Sequence, residues 1–429
     1  MRYAEALQYI YSRLPMFTRV GAAAYKSGMG NIEHFCDALN NPQNQFKSIH
    51  VAGTNGKGSS SHMLASVLQE AGYKTGLFTS PHLKDFRERI RINGQPISPR
   101  ALSSFVHAHQ HTMEQLELSF FEMNVALAFW WFAKQKVDVA IIETGLGGRL
   151  DSTNVIDPQL SLITNISFDH TELLGNTLEK IAFEKAGIIK PTRPVVISET
   201  QSSIKSLFEQ RAADLGSRIR FADLEVDVKN EGFVGGDEPL LKAKVTLGAQ
   251  SLNIETPLAG HYQLRNLAGV AASIDELRLL GWAINETHII KGIRNVKENT
   301  GLRGRWDKMG SKPDIYADTG HNEAGVAEVM KMIAQLEFGK LHWVWGMVSD
   351  KDYAKVLSML PKTAQYYFCK PNIPRGLDVM VLHEVAQKLR LGGRTYSSVR
   401  KALAAARKAA TPNDVILIGG STFVVAEVV

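Results

Sequence analysis

The stretch HVAGTNGKGSSSHMLASVLQEAG, residues 50–72, commits the chain around it to one kind of architecture. A buried-strand run, KSIHVAG, passes into three glycines set around Lys57, and helical spacing of Met63, Leu64, Val67 and Leu68 follows as far as Gly72. Strand, glycine turn and helix in that order make a βα unit, the building block of a parallel sheet. Glycines let the backbone curl with its N–H groups inward, and a helix N-terminus adds its positive end, so such a turn can cradle phosphates. On that reading Gly53, Thr54, Asn55, Gly56 and Gly58 line the cradle. Lys57 neutralises the β and γ phosphates, and the hydroxyl of Ser59 reaches a Mg²⁺. The match to G-x-x-x-x-G-K-[ST] is imperfect, because position 51 is Val and position 58 is Gly. The plainer alternative is a glycine-rich βα turn with an exposed lysine.

Strand-sized and helix-sized patterns alternate through most of the sequence. YKTGLFTS, VDVAIIETG, PQLSLITNIS and RPVVISE are β-rich, and TLEKIAFEKAG is helical, which predicts a mostly parallel sheet with helices on both faces. Between about residues 218 and 258, RIRFADLEVDV, LLKAKVTLG and QSLNIETPL are short alternating runs around NEGFVGGDEP, the mark of an antiparallel patch. A helix follows with Leu264, Leu267, Val270, Ile274 and Leu277 on one face. Periodicity lapses in NVKENTGLRGRWD, where Gly301 and Gly304 mark a linker; PDIYADTG, LHWVWGMVSD, AQYYFCKP and DVILIGG then restart the alternation. The expected fold is α/β: a P-loop-type, doubly wound domain over residues 1–299, then a smaller Rossmann-like α/β domain over 300–429.

Composition narrows the function classes. The 429 residues suffice for two or three cored domains, and 44% apolar with 21% charged residues is ordinary for a soluble globular chain. No apolar run approaches the roughly 20 residues that span a bilayer, and MRYAEALQYIYSRL opens in helical pattern rather than as a leader. Cys36 and Cys369 stand far apart without metal spacing, as in a reducing compartment. A net charge of +6 suits anionic substrates, but the basic residues are scattered, which argues against nucleic acid. A cytoplasmic monomer without membrane or nucleic-acid partners is expected.

Further motifs follow in order: SPHLKDFRERIRING (80–94), ETGLGGRLDSTN (143–154), FDHTELLG (168–175), FEKAGIIK (183–190), HYQLRNLAGVAA (261–272), GRW (304–306), DTGHN (318–322) and the ending GGSTFVVAEV. Together, and nearly end to end, they resemble the folylpolyglutamate synthetase/dihydrofolate synthetase family, relatives of the muramyl-peptide ligases. Within it the chain resembles the bacterial bifunctional members. The resemblance implies an ATP-dependent ligase that phosphorylates a substrate carboxylate and then lets the amine of L-glutamate displace phosphate. Dihydropteroate or a reduced folate is the acceptor. Such a site brings two anions together and so needs metals and cations more than an acid or base.

The same resemblance assigns roles. Ser59, Ser80, Glu143 and His170 are metal ligands at two Mg²⁺ sites where Mn²⁺ can substitute, with Asp169 orienting His170. Lys57, His170 and Lys185 are the catalytic residues, and Lys185 is carbamylated by CO₂, which requires a neutral amine. ATP is held by the glycine loop together with Asn266 at the adenine and with Arg305, Asp318 and His321, in a cleft completed by domain closure. The pteridine substrate meets His82, Ser119, Phe120, Phe121, Glu122, Leu150, Asp151 and Ser152, with Phe121 stacking on the heterocycle. On residues alone, Glu143 is a strand-end carboxylate, His170 a loop histidine, Lys185 a solvated helix lysine, Asn266 a helix residue and Asp318 a turn former; Phe120 and Phe121 are core aromatics. Departures from the family pattern are Ser119 and Asn124 in the phenylalanine motif, Thr319 and Gly320 beside Asp318, and Arg303 before the Gly304–Arg305 pair. A muramyl-peptide ligase is one alternative, though only roughly 50 residues precede the glycine loop, too few for a uridine-nucleotide domain. An inactive nucleotide-binding relative is another, and the intact Lys57, Glu143, His170, Lys185, Arg305 and Asp318 speak against it.

Overall fold

The computed structural model describes residues 1–15, 28–234, 238–349 and 351–429. The chain divides into two compact units. One comprises Met1–Glu231, Lys242–Thr256 and Gln263–Leu302; the other comprises Gly232–Leu241, Pro257–Tyr262 and Arg303–Val429. A single cut at residue 300 therefore leaves two short segments in the wrong unit, because those segments pack with residues far downstream of them.

The first unit is built on eight strands: β1 (Lys47–Ala52), β2 (Thr75–Phe78), β3 (Ile90–Ile92), β4 (Gln95–Pro96), β5 (Val139–Glu143), β6 (Leu160–Ile163), β7 (Val195–Ile197) and β8 (Ile219–Phe221). Their order is β4-β3-β2-β5-β1-β6-β7-β8. From β2 to β8 every pairing is parallel, while β3 and β4 add an antiparallel edge. Runs such as VAIIE and LSLI are buried on both faces, as a helix-covered parallel sheet requires. The RIRF run, expected in the antiparallel patch, instead pairs with β7 in parallel as β8. The patch itself is a separate sheet of β9 (Val226–Val234), β10 (Leu240–Leu247) and β11 (Gln250–Thr256); residues 235–237 of the expected turn lie outside the described residues. The predicted helix runs from Gln263 to Leu279 and buries Leu267, Val270, Ile274 and Leu277.

The second unit carries β12 (Asp307–Gly310), β13 (Asp314–Ala317), β14 (Leu341–Trp345), β15 (Gln365–Cys369), β16 (Gly393–Tyr396) and β17 (Val415–Gly419), in the order β12-β13-β17-β14-β15-β16. All neighbours are parallel except the β12–β13 pair. Its core is aromatic: Trp343, Trp345, Tyr366 and Phe368 are among the largest fully buried side chains. Among the described residues, no helix is long and apolar enough to cross a membrane.

Candidate active site

In the first unit, β2, β5, β1 and β6 lie side by side and end on the same edge, where open α/β sheets take their ligands. The glycine loop leaves β1 there. Gly53 has φ +143 and Gly56 φ +87. A Cβ on Gly53 would meet the Thr164 hydroxyl at 1.8 Å, and one on Gly56 would meet Asn266 Oδ1 at 2.3 Å. Two constraints thus demand glycine, the backbone conformation and the lack of room. The loop is pinned to the segment after β6: Thr54 N–H donates to the Asn165 carbonyl at 2.8 Å and Asn55 N–H to Asn165 Oδ1 at 2.9 Å. Gly56 sits just before the helix Lys57–Glu70. Lys57 Nζ folds back on the carbonyls of Gly53 and Thr54, at 3.0 and 3.1 Å.

Lys185 comes to the same loop from the end of the helix Leu178–Ala186. It is buried, and its Nζ donates to the Gly53 carbonyl at 2.7 Å. Burial first, and the charge of Lys57 second, pull its pKa down to about 7. Glu143, buried at the end of β5, accepts the Ser80 N–H at 3.0 Å, so the carboxylate and the loop after β2 are joined. Ser59, also buried, receives a hydrogen bond from Gln263 Nε2 at 3.2 Å. Asn266 Nδ2 donates to Gln263 Oε1 at 2.7 Å, which ties the adenine candidate to the Ser59 candidate. His170 has φ 50, and its Nε2 lies 3.9 Å from Asp169 Oδ1. Among the described residues no three His, Cys, Asp or Glu side chains gather around one point. The donor set is two hydroxyls and one carboxylate, hard oxygen ligands that fit Mg²⁺ when phosphate oxygens complete the shell, with the His170 imidazole a softer nitrogen donor that Mn²⁺ accepts more readily.

On the substrate side the structure corrects several expectations. Ser119 and Glu122 are buried and cap the helix Phe120–Gln135 for each other: Glu122 N–H donates to Ser119 Oγ at 3.2 Å, and Ser119 N–H to Glu122 Oε2 at 2.7 Å. They face the helix end rather than a ligand. Phe120 is buried, with its ring 5.9 Å from that of Phe86 and 6.0 Å from that of Tyr11, and is a core residue. Asp151 has no acceptor to spare: Oδ2 takes the N–H groups of Gly145 and Leu146 at 2.9 and 2.8 Å, and Oδ1 takes Thr153 N–H at 3.0 Å and the Thr153 hydroxyl at 2.5 Å. It organises its loop from inside. Burial still outweighs these bonds and raises its pKa. Phe121, in contrast, is half-buried and lies against Gly145, where a Cβ would sit 2.3 Å from its Cζ. Leu150 and Ser152, also half-exposed, flank Asp151.

Arg89 was missed by the sequence reading. It is 6% exposed, its Nε donates to His82 Nδ1 at 2.7 Å, and its guanidinium lies 5.2 Å from the Phe120 ring centroid. It makes no ion pair among the described residues, although Glu143 is near enough to favour its charge. Burial lowers its pKa only to about 10, so it is a charged, buried cation at neutral pH. His82, whose Nδ1 accepts, is held neutral, with burial pulling its pKa to about 3. The available signal was the alternation of Arg89 and Arg91 with Ile90 and Ile92, at the start of β3.

In the second unit Asp318 is buried and occupied. Its Oδ2 accepts from Tyr262 OH at 2.7 Å and Trp306 N–H at 2.9 Å, its Oδ1 from Gly320 N–H at 2.7 Å, and burial raises its pKa. Arg305 donates to Thr319 Oγ1 and to the Gly304 carbonyl. The Nδ1 of His321 lies 3.1 Å from the Thr319 carbonyl. Asp318 therefore shapes the Arg305 loop in this structure, with Oδ2 taken twice and Oδ1 once.

Residues 51–274 match the Mur ligase middle domain, and residues 304–422 match the Mur ligase, glutamate ligase domain. A probable bifunctional folylpolyglutamate synthase/dihydropteroate synthase of Haloferax volcanii is 36% identical over all of the chain, which spans half of that protein's length. The folylpolyglutamate synthase of Lacticaseibacillus casei is 33% identical, covering 100% of this chain and 98% of that one. E. coli FolC solved with DHPP and ADP superposes with a TM-score of 0.84 at 29% identity, over 100% of this chain and 97% of the other.

Proposed function

Because the chain belongs to the folylpolyglutamate synthase/dihydrofolate synthase family of Mur ligases, we propose that it joins L-glutamate to dihydropteroate, and to the terminal carboxyl of reduced folates, with conversion of ATP to ADP and phosphate. The observation that carries this reading is the set of cations, half-buried Lys57 and buried Lys185 at the glycine loop and buried Arg89 beside His82, around a sheet edge that also holds Glu143. A carboxylate is a poor acylating agent and an acyl phosphate a good one. Cations at fixed positions allow a carboxylate oxygen to approach the γ phosphorus against charge repulsion. The O–P bond forms as the bond to ADP breaks; the glutamate amine then adds to the acyl carbon, loses a proton and expels phosphate.

In this reading the loop amides and Lys57 hold the triphosphate, Asn266 meets the adenine, and Arg89 with the Nε2–H of His82 seats the acceptor's carboxylate. Phe121 offers a face to the heterocycle between Gly145 and the half-exposed Leu150 and Ser152. Arg305 and His321 are nucleotide contacts, with Asp318 shaping the Arg305 loop. Ser59, Ser80, Glu143 and His170 would hold Mg²⁺ or Mn²⁺, which screens phosphate charge when bound. Lys185 is the carbamylation site: CO₂ adds to a neutral amine with loss of a proton, and a pKa near 7 supplies that amine. The buried thiols of Cys36 and Cys369 suit a reducing cytoplasm, and a monomer is the working form.

The test is phosphate release. It should require ATP, glutamate and either dihydropteroate or a monoglutamyl reduced folate; comparing the two acceptors separates one activity from both. Release with a uridine-linked muramyl acceptor instead reassigns the chain to cell-wall ligation. Nucleotide binding without turnover on any acceptor marks an inactive relative.

A further inference from the structure

A buried chain of hydrogen bonds runs from the middle of the sheet to the loop after β5. His50, on β1 and 0% exposed, has its Nε2 2.8 Å from Thr153 Oγ1. That hydroxyl lies 2.5 Å from Asp151 Oδ1, and Asp151 Oδ2 takes the N–H groups of Gly145 and Leu146. A hydroxyl has one proton to give. Thr153 gives it to the carboxylate, so toward His50 it can only accept, and His50 must carry its proton on Nε2. The other ring nitrogen, Nδ1, is buried with no partner. Burial keeps the ring neutral, pulling its pKa to about 3, with the charge of Lys190 acting in the same direction.

An apolar side chain at position 50 would avoid an orphaned nitrogen in the core. The histidine supplies what such a residue cannot, a donor that fixes the Thr153 hydroxyl and, through it, both oxygens of Asp151. The chain ends on Gly145, against which the ring of Phe121 lies. We propose that His50 is a positioning residue for the pteridine: through Thr153 and Asp151 it sets the Gly145–Leu146 backbone and hence the surface that Phe121 presents to the heterocycle. The assignment of that surface to the pteridine rests on the function proposed above; the hydrogen-bond chain does not.

Two measurements test it on the full-length enzyme. His50→Phe fills the volume without the donor, His50→Gln keeps an N–H donor, and Thr153→Val cuts the same chain one bond further on. Losing one buried bond should raise the KM for dihydropteroate about tenfold in His50→Phe and Thr153→Val. The KM for ATP and kcat should stay within about twofold, and His50→Gln should recover most of the loss. Amide hydrogen exchange at Gly145 and Leu146 should accelerate in the first two variants and not in His50→Gln. An unchanged pteridine KM, or an equal rise in the KM for ATP, overturns the proposal. So does unaltered protection of the two amides. If the wild type turns over no pteridine, the functional reading fails by itself, and hydrogen exchange alone decides whether His50 holds the loop.

Discussion

Lys185 and Arg89 are both buried cations, yet they make opposite predictions. Lys185 can become neutral at ordinary pH. Its neutral share should rise from roughly a tenth at pH 6 to nine-tenths at pH 8, because burial and Lys57 place its pKa near 7 rather than at the usual lysine value. Carbamylation should therefore increase across that interval at fixed dissolved CO₂, as read by NMR with ¹³C-labelled bicarbonate, and Lys185→Arg should show no such signal. A signal that does not change with pH would remove Lys185 as the site. Arg89 stays charged across the same range. Arg89→Leu should raise the KM of the acceptor carboxylate about 100-fold while leaving ATP affinity near its normal value, since a buried, paired charge contributes a few kcal/mol. Loss of ATP affinity instead would place Arg89 at the nucleotide.

At the scale of elements, two positions separate architecture from ligand contact. Ser119→Ala removes a helix cap and should cost about 1 kcal/mol in denaturant unfolding with the pteridine KM unchanged, because its hydroxyl faces Glu122 N–H. A large KM effect without loss of stability would return Ser119 to the substrate site. Gly56→Ala should abolish nucleotide binding in titration calorimetry, since the added methyl meets Asn266 Oδ1 at a φ that side chains avoid. These elements also show what sequence reveals. The glycine loop, the strand ending at Glu143 and the helix Gln263–Leu279 were legible, because strand run, glycine turn and helical spacing are local signals. The inward-facing roles of Ser119, Glu122, Asp151 and Asp318 were not. A polar residue in a motif looks the same whether its partner is a ligand or a backbone amide. β12 and β16 are four residues each and polar enough to pass for linker, and Arg89 was hidden because burial of a cation depends on what packs over it.

For the whole molecule, the proposed ligation predicts a metal requirement, and the described residues contain no cluster of three His, Cys, Asp or Glu side chains to hold the ion before the nucleotide binds. Chelation with EDTA should stop turnover and Mg²⁺ or Mn²⁺ should restore it, while the unfolding midpoint without nucleotide should barely move; a large drop in stability would indicate a structural ion instead. The Gly56–Asn266 contact carries a different consequence, for the order in which the protein comes into being. A ribosome delivers the glycine turn early and the helix bearing Asn266 much later, so the turn waits, unshaped on one side, for a piece of chain not yet made. Nascent chains released before residue 263 should fail to retain an immobilised ATP analogue, and the 429-residue chain should hold it; retention by the shorter chains would mean that the turn assumes its form unaided.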